Sequence, residues 1–321
     1  MHTIGLDISK KTFDAAIRQD NHYIISQFSN DLSGIRALKD WISENQCIQP
    51  HICMEATGSY YELIADDLSC HYLVSVVNPL KIKSYAKSVL ARTKNDKQDA
   101  ILIADYCFNA KLSGSLKTFN HSSKTQRDLD HLTALRQQLI SMKTATQNRK
   151  EATQDEFIQS IHQTLIKTYD EQIHIVDAQI QQHIEEDTEL HKKAKLLESI
   201  DCIGNKSASL ILNYLTSRTF QNVKQYIAFL GLCPSEKQSG TSVRGRGSLT
   251  NYGHRRAKSV YFMSALVAYR LKIFPELIKR LEAKGKPKKV IITAIMRKLA
   301  TIAYYIYTKE EPFDRQRYRN T

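Results

Sequence analysis

The sequence predicts three consecutive segments: an α/β domain over residues 1–115, a long helical arm over 116–195 and an all-α domain over 196–321. The first third alternates short apolar stretches of strand type with stretches of helical periodicity. Residues 120–195 contain no Gly or Pro, and their apolar residues recur at steps of three and four. The last third returns to apolar helical patterns and carries a strong basic excess.

The first segment opens with three strands. Each is a short run of apolar and β-branched residues bounded by polar ones. A helical pattern then places Leu32, Ile35, Leu38 and Ile42 on one face. The predicted order is strands 3–8, 12–17 and 23–28, a helix near 32–42, strand 51–55, a helix near 59–68, strand 72–77 and two more helices to about residue 112. This βββαβαβ order predicts a mixed sheet covered by helices.

Two apolar stripes define the arm. The first contains Leu129, Leu132, Leu135, Leu139 and Met142, and the second contains Ile161, Leu165, Tyr169, Ile173, Val176, Ile180 and Ile184. This spacing is typical of long amphipathic helices and predicts a coiled coil. The stripes fit self-association and packing within the chain equally well.

The C-terminal segment begins with two helical stretches that meet at Ile203 and Gly204. Glycine permits a tight turn, and the next helix offers free N–H groups to a phosphate, so we predict a helix-hairpin-helix that contacts DNA. Further helices are predicted over 223–230, 252–271, 276–283 and 289–307. The polar tail from Lys309 is predicted to be mobile.

The charge distribution predicts a nucleic-acid partner. The chain has 46 Lys+Arg and 33 Asp+Glu, a net charge of +13. Residues 231–321 hold 20 of the basic and only 6 of the acidic residues, so the excess lies in this region. Such a concentration favours a polyanion over a membrane surface, because the basic residues are interleaved with Gly, Ser and Thr and do not line one face of an amphipathic helix.

The sequence predicts a cytoplasmic protein. Its apolar stretches fall short of the roughly 18 residues that a membrane helix needs, and its N-terminus lacks a secretory pattern. The six cysteines are widely spaced, without a Cys-x-x-Cys pair, which argues against a zinc site and favours thiols that fill the core.

Four acidic residues are the candidate metal ligands. Asp7 lies near the end of one strand, Glu55 ends another, and Asp96 and Asp99 would share one face of a helix. Convergent carboxylates need a counter-charge, and oxygen ligands suit Mg²⁺ or Mn²⁺. Two such ions about 4 Å apart would stabilise the entering and leaving oxygens of a phosphoryl transfer. Asp14 ranks lower because it sits mid-strand, and Asp66 and Asp67 rank lower because neither falls at a strand end.

A loop over residues 231–248 is rich in Gly, Ser and Arg. Its backbone N–H groups and the guanidinium groups of Arg244 and Arg246 suit a phosphate. A serine in it could act as a nucleophile if its proton can be removed, or the serines could be purely structural. Ser235, Ser239, Ser242 and Ser248 all lie in this loop, and spacing does not choose among them.

Five sequence blocks resemble the DEDD transposases of the insertion-sequence 110 family. In chain order they are Ile4-Gly5-Leu6-Asp7-Ile8-Ser9-Lys10, Glu55-Ala56-Thr57-Gly58-Ser59-Tyr60, Asn78-Pro79, Lys94-Asn95-Asp96-Lys97-Gln98-Asp99-Ala100 and Pro234-Ser235-Glu236-Lys237-Gln238-Ser239-Gly240. The blocks follow the family's order and cover nearly the whole chain. The family's acidic helix block has Thr where this chain has Asn95.

This resemblance implies a RuvC-like (ribonuclease-H-like) nuclease domain, a dimerisation arm and a C-terminal transposase domain. It implies that Asp7, Glu55, Asp96 and Asp99 hold the metal ions and that Ser239 forms a covalent phosphoserine link to DNA. It also implies donor and target DNA, a structured non-coding guide RNA and a dimer that assembles into a tetramer. The residues predicted to contact nucleic acid are Lys94, Lys97, Gly204, Lys206, Arg244, Arg246, Arg255, Arg256 and Lys258.

The resulting hypothesis is an RNA-guided DNA transposase whose metal ions activate Ser239. The nearest alternative is a site-specific DNA invertase of the Piv type, which would recombine fixed inverted sites. A second is a metal-dependent nuclease that uses water and no serine. A third is a non-catalytic nucleic-acid scaffold built on the basic domain and the arm.

Overall fold

The computed structural model describes residues 2–20, 22–90, 95–119, 124–235, 238–239, 243–244, 248–250 and 252–319. By internal contacts the chain forms two compact units, Met1–His121 and Ser122–Thr321. The helices of the arm share a hydrophobic core with the second unit. The division into three segments at 115/116 and 195/196 stays a prediction.

The first unit is the mixed α/β domain that the sequence predicts. Its elements are β1 Thr3–Ile8, β2 Thr12–Gln19, β3 His22–Ser29, α1 Leu32–Glu44, β4 His51–Glu55, α2 Glu62–Ser69, β5 Leu73–Val77, α3 Pro79–Ser88 and α4 Asp96–Leu112. The sheet order is β3-β2-β1-β4-β5. β2 runs antiparallel to β1 and β3, whereas β4 runs parallel to β1 and β5.

Alternation along β1 divides the sheet into two faces. Ile4, Leu6 and Ile8 are buried in a core cluster with residues of α1 and α2. Gly5 points the other way and lies against α4, as does Thr3, whose Oγ1 donates to the Ala104 carbonyl at 3.1 Å. Asp7 shares the face of Thr3 and Gly5, so α4 packs on the same face as this carboxylate.

The second unit is mainly helical. Its helices are α5 Lys124–Ala152, α6 Glu156–Glu186, α7 Thr188–Glu198, α8 Asn205–Thr216, α9 Val223–Leu230, α10 Arg255–Arg270, α11 Pro275–Ala283, α12 Lys288–Lys309 and α13 Arg315–Arg319. Four two-residue strands interrupt them: β6 Pro234–Ser235, β7 Gln238–Ser239, β8 Val243–Arg244 and β9 Ser248–Leu249. The expectation of an all-α domain is therefore wrong in this stretch, because the Ser-Gly segment pairs with itself as antiparallel ribbons.

The arm is a helical hairpin whose apolar stripe changes character along α6. Near the C-terminal end of α6, Val176, Ile180 and Ile184 are buried in the core of the second unit. Nearer its start, Ile161 and Leu165 are 49% and 41% exposed. The part of the stripe near the C-terminal end of α6 thus packs within the chain. Self-association through the exposed part and coiled-coil supercoiling stay predictions.

The tail after α12 is attached to the second unit, contrary to the expectation of a mobile segment. The Phe313 backbone N–H donates to Ser199 Oγ at 2.7 Å, and the Phe313 ring packs against the core. Glu310 pairs with Lys192. The polar composition misled the prediction because one aromatic ring and a few polar contacts suffice to hold the segment.

Within the part of the chain that the structure describes, one helix, α12, is long and apolar enough by composition to cross a membrane, although the sequence predicted none. Half of its most apolar window is buried inside the unit. Ten of its residues are buried, including Ile295, Leu299 and Ala303. These side chains form part of the core of the second unit.

Candidate active site

The parallel register of β1 and β4 brings two predicted ligands to one edge of the sheet. Leu6 pairs with Met54, so Asp7 and Glu55 each lie one residue further along neighbouring strands. Both side chains are partly exposed at this edge. Glu55 Oε1 also accepts a hydrogen bond from Thr57 Oγ1 at 3.3 Å.

The absence of a side chain at Gly5 lets α4 lie directly on the sheet. A Cβ on Gly5 would lie 2.1 Å from the Ala100 carbonyl oxygen and 2.3 Å from the Ala104 nitrogen, which leaves no room for any other residue. Further along α4, Asp105 accepts hydrogen bonds from Arg18 Nε at 3.0 Å and from the Tyr23 hydroxyl at 2.6 Å. The helix is thus held at several points along its length.

This docking aligns α4 with β1 in opposite directions, because Ala104 contacts Thr3 and Ala100 contacts Gly5. The first turn of α4, with Asp96 and Asp99, therefore lies toward Asp7. Asn95 caps this turn, since its side chain accepts a hydrogen bond from the Gln98 N–H at 2.8 Å. Thr, the residue of the family's block at this position, is also a good cap residue, so the change preserves how the helix begins.

The four predicted acids form one electrostatic group. Burial together with the negative charges of Asp99, Asp96, Glu55 and Asp14 raises the pKa of Asp7 to about 6. Asp14 is 3% exposed and pairs directly with Asp7 across β1 and β2. The sequence analysis ranked Asp14 lower for its mid-strand position, and only the strand register reveals that it lies opposite Asp7. Its Oδ2 accepts a hydrogen bond from Gln27 Nε2 at 3.0 Å.

The donor set fits a divalent metal. It consists of carboxylates alone, and oxygen ligands are those that Mg²⁺ and Mn²⁺ prefer. The raised pKa of Asp7 reflects its burial first and then the negative charge of the neighbouring carboxylates, and a bound cation would offset that charge. Among the described residues, no three His, Cys, Asp or Glu side chains are close enough together to form a ready-made metal site. Metal binding by these four carboxylates therefore stays a prediction.

The other acids considered from sequence lie elsewhere in the first unit. Asp66 and Asp67 are in α2, on the opposite face of the sheet from α4. Asp67 forms an ion pair with Lys39 of α1. This arrangement agrees with their low ranking.

The segment with Ser239 forms two short antiparallel ribbons. Ser235 pairs with Ser248, and beyond them Ser239 pairs with Val243. These two ribbons lie between α9 and α10 in the chain. Arg244 lies opposite Gln238 in the second ribbon. Arg246 and Ser242 lie outside the described residues.

We call the segment from β6 to β9 the Ser239 hairpin. Two glycines lie in close contact at its base. Gly231, at the end of α9, has a φ of 69°, and Gly253, just before α10, has a φ of 121°. A Cβ on Gly253 would lie 2.4 Å from the Gly231 Cα, so neither position accepts another residue without displacement. Lys258 Nζ donates to the Thr250 carbonyl at 3.3 Å across the same base. The hairpin thus starts from a fixed base.

The predicted nucleic-acid contacts are spread over both units. Five of them are exposed: Lys97, Gly204, Lys206, Arg255 and Arg256. Lys258 is half-buried, and Lys94 lies outside the described residues. Arg255 and Arg256 begin α10, immediately after the base of the hairpin.

The turn predicted as a helix-hairpin-helix differs from its expected geometry. Gly204 has a φ of −83° and caps α8, a conformation that other residues adopt, so the turn does not need glycine. Lys206 pairs with Asp177 of α6 at 2.7 Å, and Asp177 also pairs with Arg136 of α5. These pairs hold the pKa of Asp177 below its usual value despite burial. Contact of Lys206 with DNA stays a prediction, and it would compete with this ion pair.

Comparison with known proteins places these features in one family. Residues 4–158 match a family model described as "Transposase", and residues 194–281 match one described as "Transposase IS116/IS110/IS902 family". The chain belongs to the IS110 family of DEDD transposases. It is therefore a DNA transposase or recombinase. The first match spans all four predicted metal ligands, and the second spans the Ser239 hairpin.

Two relatives extend over almost the whole length of this transposase. A "Pilin gene-inverting protein" of Moraxella bovis is 38% identical over 323 residues, covering 98% of both chains. A protein with the same description from Moraxella lacunata has the same identity and coverage. Both names describe inversion of a gene.

Proposed function

We propose that this protein cuts and rejoins DNA through a covalent link between Ser239 and a DNA phosphate. The observation that carries the proposal is geometric: Asp7 and Glu55 lie at the same end of neighbouring parallel strands, and the first turn of α4, which holds Asp96 and Asp99, lies toward Asp7. The serine comes from the Ser239 hairpin, whose base is closed by two glycines in close contact. This hairpin lies in the part of the chain that matches the second family model.

In the cutting step, the Ser239 oxygen forms a bond to the scissile phosphorus, and the bond from phosphorus to one strand oxygen breaks. The Ser239 hydroxyl gives up one proton and the departing DNA oxygen takes up one proton to become a free hydroxyl, so the step has no net change in protons. In the joining step a DNA hydroxyl attacks the phosphoserine and releases the serine. The phosphodiester energy is retained, so no external energy source is needed.

The four carboxylates would hold one or two Mg²⁺ or Mn²⁺ ions. Such ions supply charge neutralisation at the scissile phosphate and activation of the attacking oxygen. The chain's own contribution is to fix the ligands: Gly5 lets α4 approach, Asn95 starts the helix, and the register of β1 and β4 aligns Asp7 with Glu55.

A covalent adduct tests this proposal. We expect purified protein, a DNA substrate and Mg²⁺ to give a protein–DNA species that survives denaturation. Ser239→Ala and Asp99→Asn should each abolish it, whereas Ser235→Ala and Asp40→Asn should not. Asp40 is the matched control because it is exposed on α1, on the other face of the sheet. Cleavage that persists in Ser239→Ala would indicate the nuclease that uses water.

The choice of DNA sites has two candidate mechanisms. The family resemblance favours an element-encoded guide RNA that pairs with donor and target DNA. The descriptions of the two Moraxella relatives favour inversion between fixed sites. Purification from cells that carry the native flanking DNA, followed by sequencing of bound RNA, separates them. One discrete RNA from the flank supports guidance, whereas absent or heterogeneous RNA supports the fixed-site invertase.

A further inference from the structure

The turn between α11 and α12, taken with the first two residues of α12, is the most basic short segment among the described residues. It carries Lys284, Lys286, Lys288 and Lys289 within six positions and has no acidic residue. All four side chains are exposed. We call these four residues the lysine turn. It lies outside the hairpin, the acids and the other residues that the sequence analysis assigned to nucleic acid.

The backbone of the lysine turn is ordered. The Gly285 N–H donates to the Glu282 carbonyl at 2.8 Å, and the Lys286 N–H donates to the Leu281 carbonyl at 3.1 Å. Pro287 is the N-cap residue of α12, and the Val290 N–H donates to the Pro287 carbonyl at 2.9 Å. The lysines therefore extend from a fixed backbone, which lowers the entropy that a bound partner must remove.

The charges of the lysine turn are unopposed within the part of the chain that the structure describes. None of its four lysines forms an ion pair there, whereas Lys143, Lys192 and Lys195 pair with Asp170, Glu310 and Glu198. The first turn of α12 holds no acidic residue, and no side chain caps it. Lysines at the positive end of a helix dipole repel that end, so the free protein gains nothing from this arrangement. An arrangement that is unfavourable in isolation points to a bound anion.

We propose that the lysine turn binds the phosphate backbone of a DNA duplex, apart from the strand that reacts at the Ser239 hairpin. Lysine is a compact point charge that neutralises phosphates without reading bases. Residues 284–289 include no aromatic side chain on which an unpaired base could stack, which favours a duplex over single-stranded nucleic acid. The choice of DNA rests on the proposed function, in which the protein holds donor and target duplexes.

The salt dependence of binding tests the proposal. Protein treated with ribonuclease is titrated against a labelled DNA duplex of about three helical turns at several salt concentrations between 50 and 200 mM. The test variant combines Lys284→Gln, Lys286→Gln and Lys288→Gln. The control combines Lys143→Gln, Lys192→Gln and Lys195→Gln, which removes the same charge from ion-paired lysines.

We expect the slope of log affinity against log salt to fall by about 2–3 in the test variant, because each phosphate contact contributes about 0.9. The wild type should then lose roughly 40-fold more affinity than the variant between 50 and 200 mM salt. The control should change the slope by less than about 1. The melting temperature of the test variant should equal or exceed that of the wild type, since repulsion is removed.

Equal changes in both variants would mean that only net charge matters and would overturn the proposal. No change in the test variant would also overturn it, as would loss of affinity for structured RNA with the DNA slope intact. Measuring the covalent protein–DNA adduct at 50 mM salt separates a failure of the proposed Ser239 chemistry from a failure of the lysine-turn proposal. If Ser239→Ala still forms an adduct while the slope falls as expected, the proposed chemistry fails and the lysine turn stands as a DNA-binding surface.

Discussion

At the scale of single residues, the sheet holds two side chains whose pKa values move in ways that the sequence does not reveal. His51 is 6% exposed in β4, and its Nε2 lies 2.9 Å from Ser75 Oγ. Because Ser75 Oγ donates to the Lys117 carbonyl, His51 Nε2–H is the donor to Ser75. Its Nδ1 is buried without a hydrogen-bond partner. Burial and the charge of Lys111 lower the pKa of His51 to about 4.

This shift predicts that the first unit loses stability in mild acid. The unfolded chain takes up the His51 proton near pH 6.5, whereas the folded chain resists it until about pH 4, so acid favours unfolding between these values. Between pH 6.5 and 4.5 the wild type should lose free energy of unfolding because of His51. We expect His51→Gln to remove about 2 kcal/mol of this loss. Trp41, the only tryptophan of the chain, packs against Phe28 in this unit and reports its unfolding in urea.

The titration of Asp7 has the opposite effect on stability over part of this range. Because the pKa of Asp7 is raised to about 6, its protonation favours the folded state in acid, and this contribution is lost as the pH rises toward 6. The free energy of unfolding is therefore compared between the wild type and the variants, which share the contribution of Asp7. A chelator in the buffer keeps metal ions away from Asp7. His22→Gln is the control, because His22 is exposed on β3 of the same sheet. Parallel stability curves for the wild type and His51→Gln would contradict the prediction.

At the scale of elements, the sequence predicted those whose pattern is local. Short apolar runs bounded by polar residues predicted the five strands of the sheet, and helical periodicity predicted α1, α9 and α12 to within one or two residues. The ribbons around Ser239 were missed because two-residue strands carry no period. Asp14 was ranked low for its mid-strand position, and its place opposite Asp7 was not predicted because register depends on a partner strand. The exposed half of the α6 stripe could not be told from the buried half, since the residue types are the same.

This divided stripe predicts two different effects of substitution on one helix. Ile161→Glu combined with Leu165→Glu should lower the mass of the oligomer in sedimentation without lowering the melting temperature, because both side chains are already exposed. Ile180→Ala should instead cost about 2–4 kcal/mol of stability and leave the mass unchanged, because Ile180 is 5% exposed in the core. A distal double variant that keeps its full mass would exclude this face of the arm as the contact between copies.

At the scale of the whole molecule, the proposed chemistry uses residues from both units. The predicted metal ligands belong to the first unit, and the Ser239 hairpin belongs to the second. In a symmetric oligomer, the acids of one copy could serve the serine of another. Such sharing would prevent cleavage by a lone subunit and would couple DNA cutting to assembly on both duplexes.

A mixing experiment decides whether the site is shared. Asp7→Asn retains the serine and Ser239→Ala retains the acids, so each protein alone should give neither adduct nor strand exchange. If sites form between subunits, an equal mixture should recover up to about a quarter of wild-type sites, since half of random dimers are mixed and each holds one complete pair. Failure to recover activity at every ratio tested, with mixed oligomers confirmed by two different tags, would place acids and serine of each site in the same chain. The exposed face of α6 offers an internal check. If it joins the copies, adding Ile161→Glu and Leu165→Glu to both proteins should abolish the recovery.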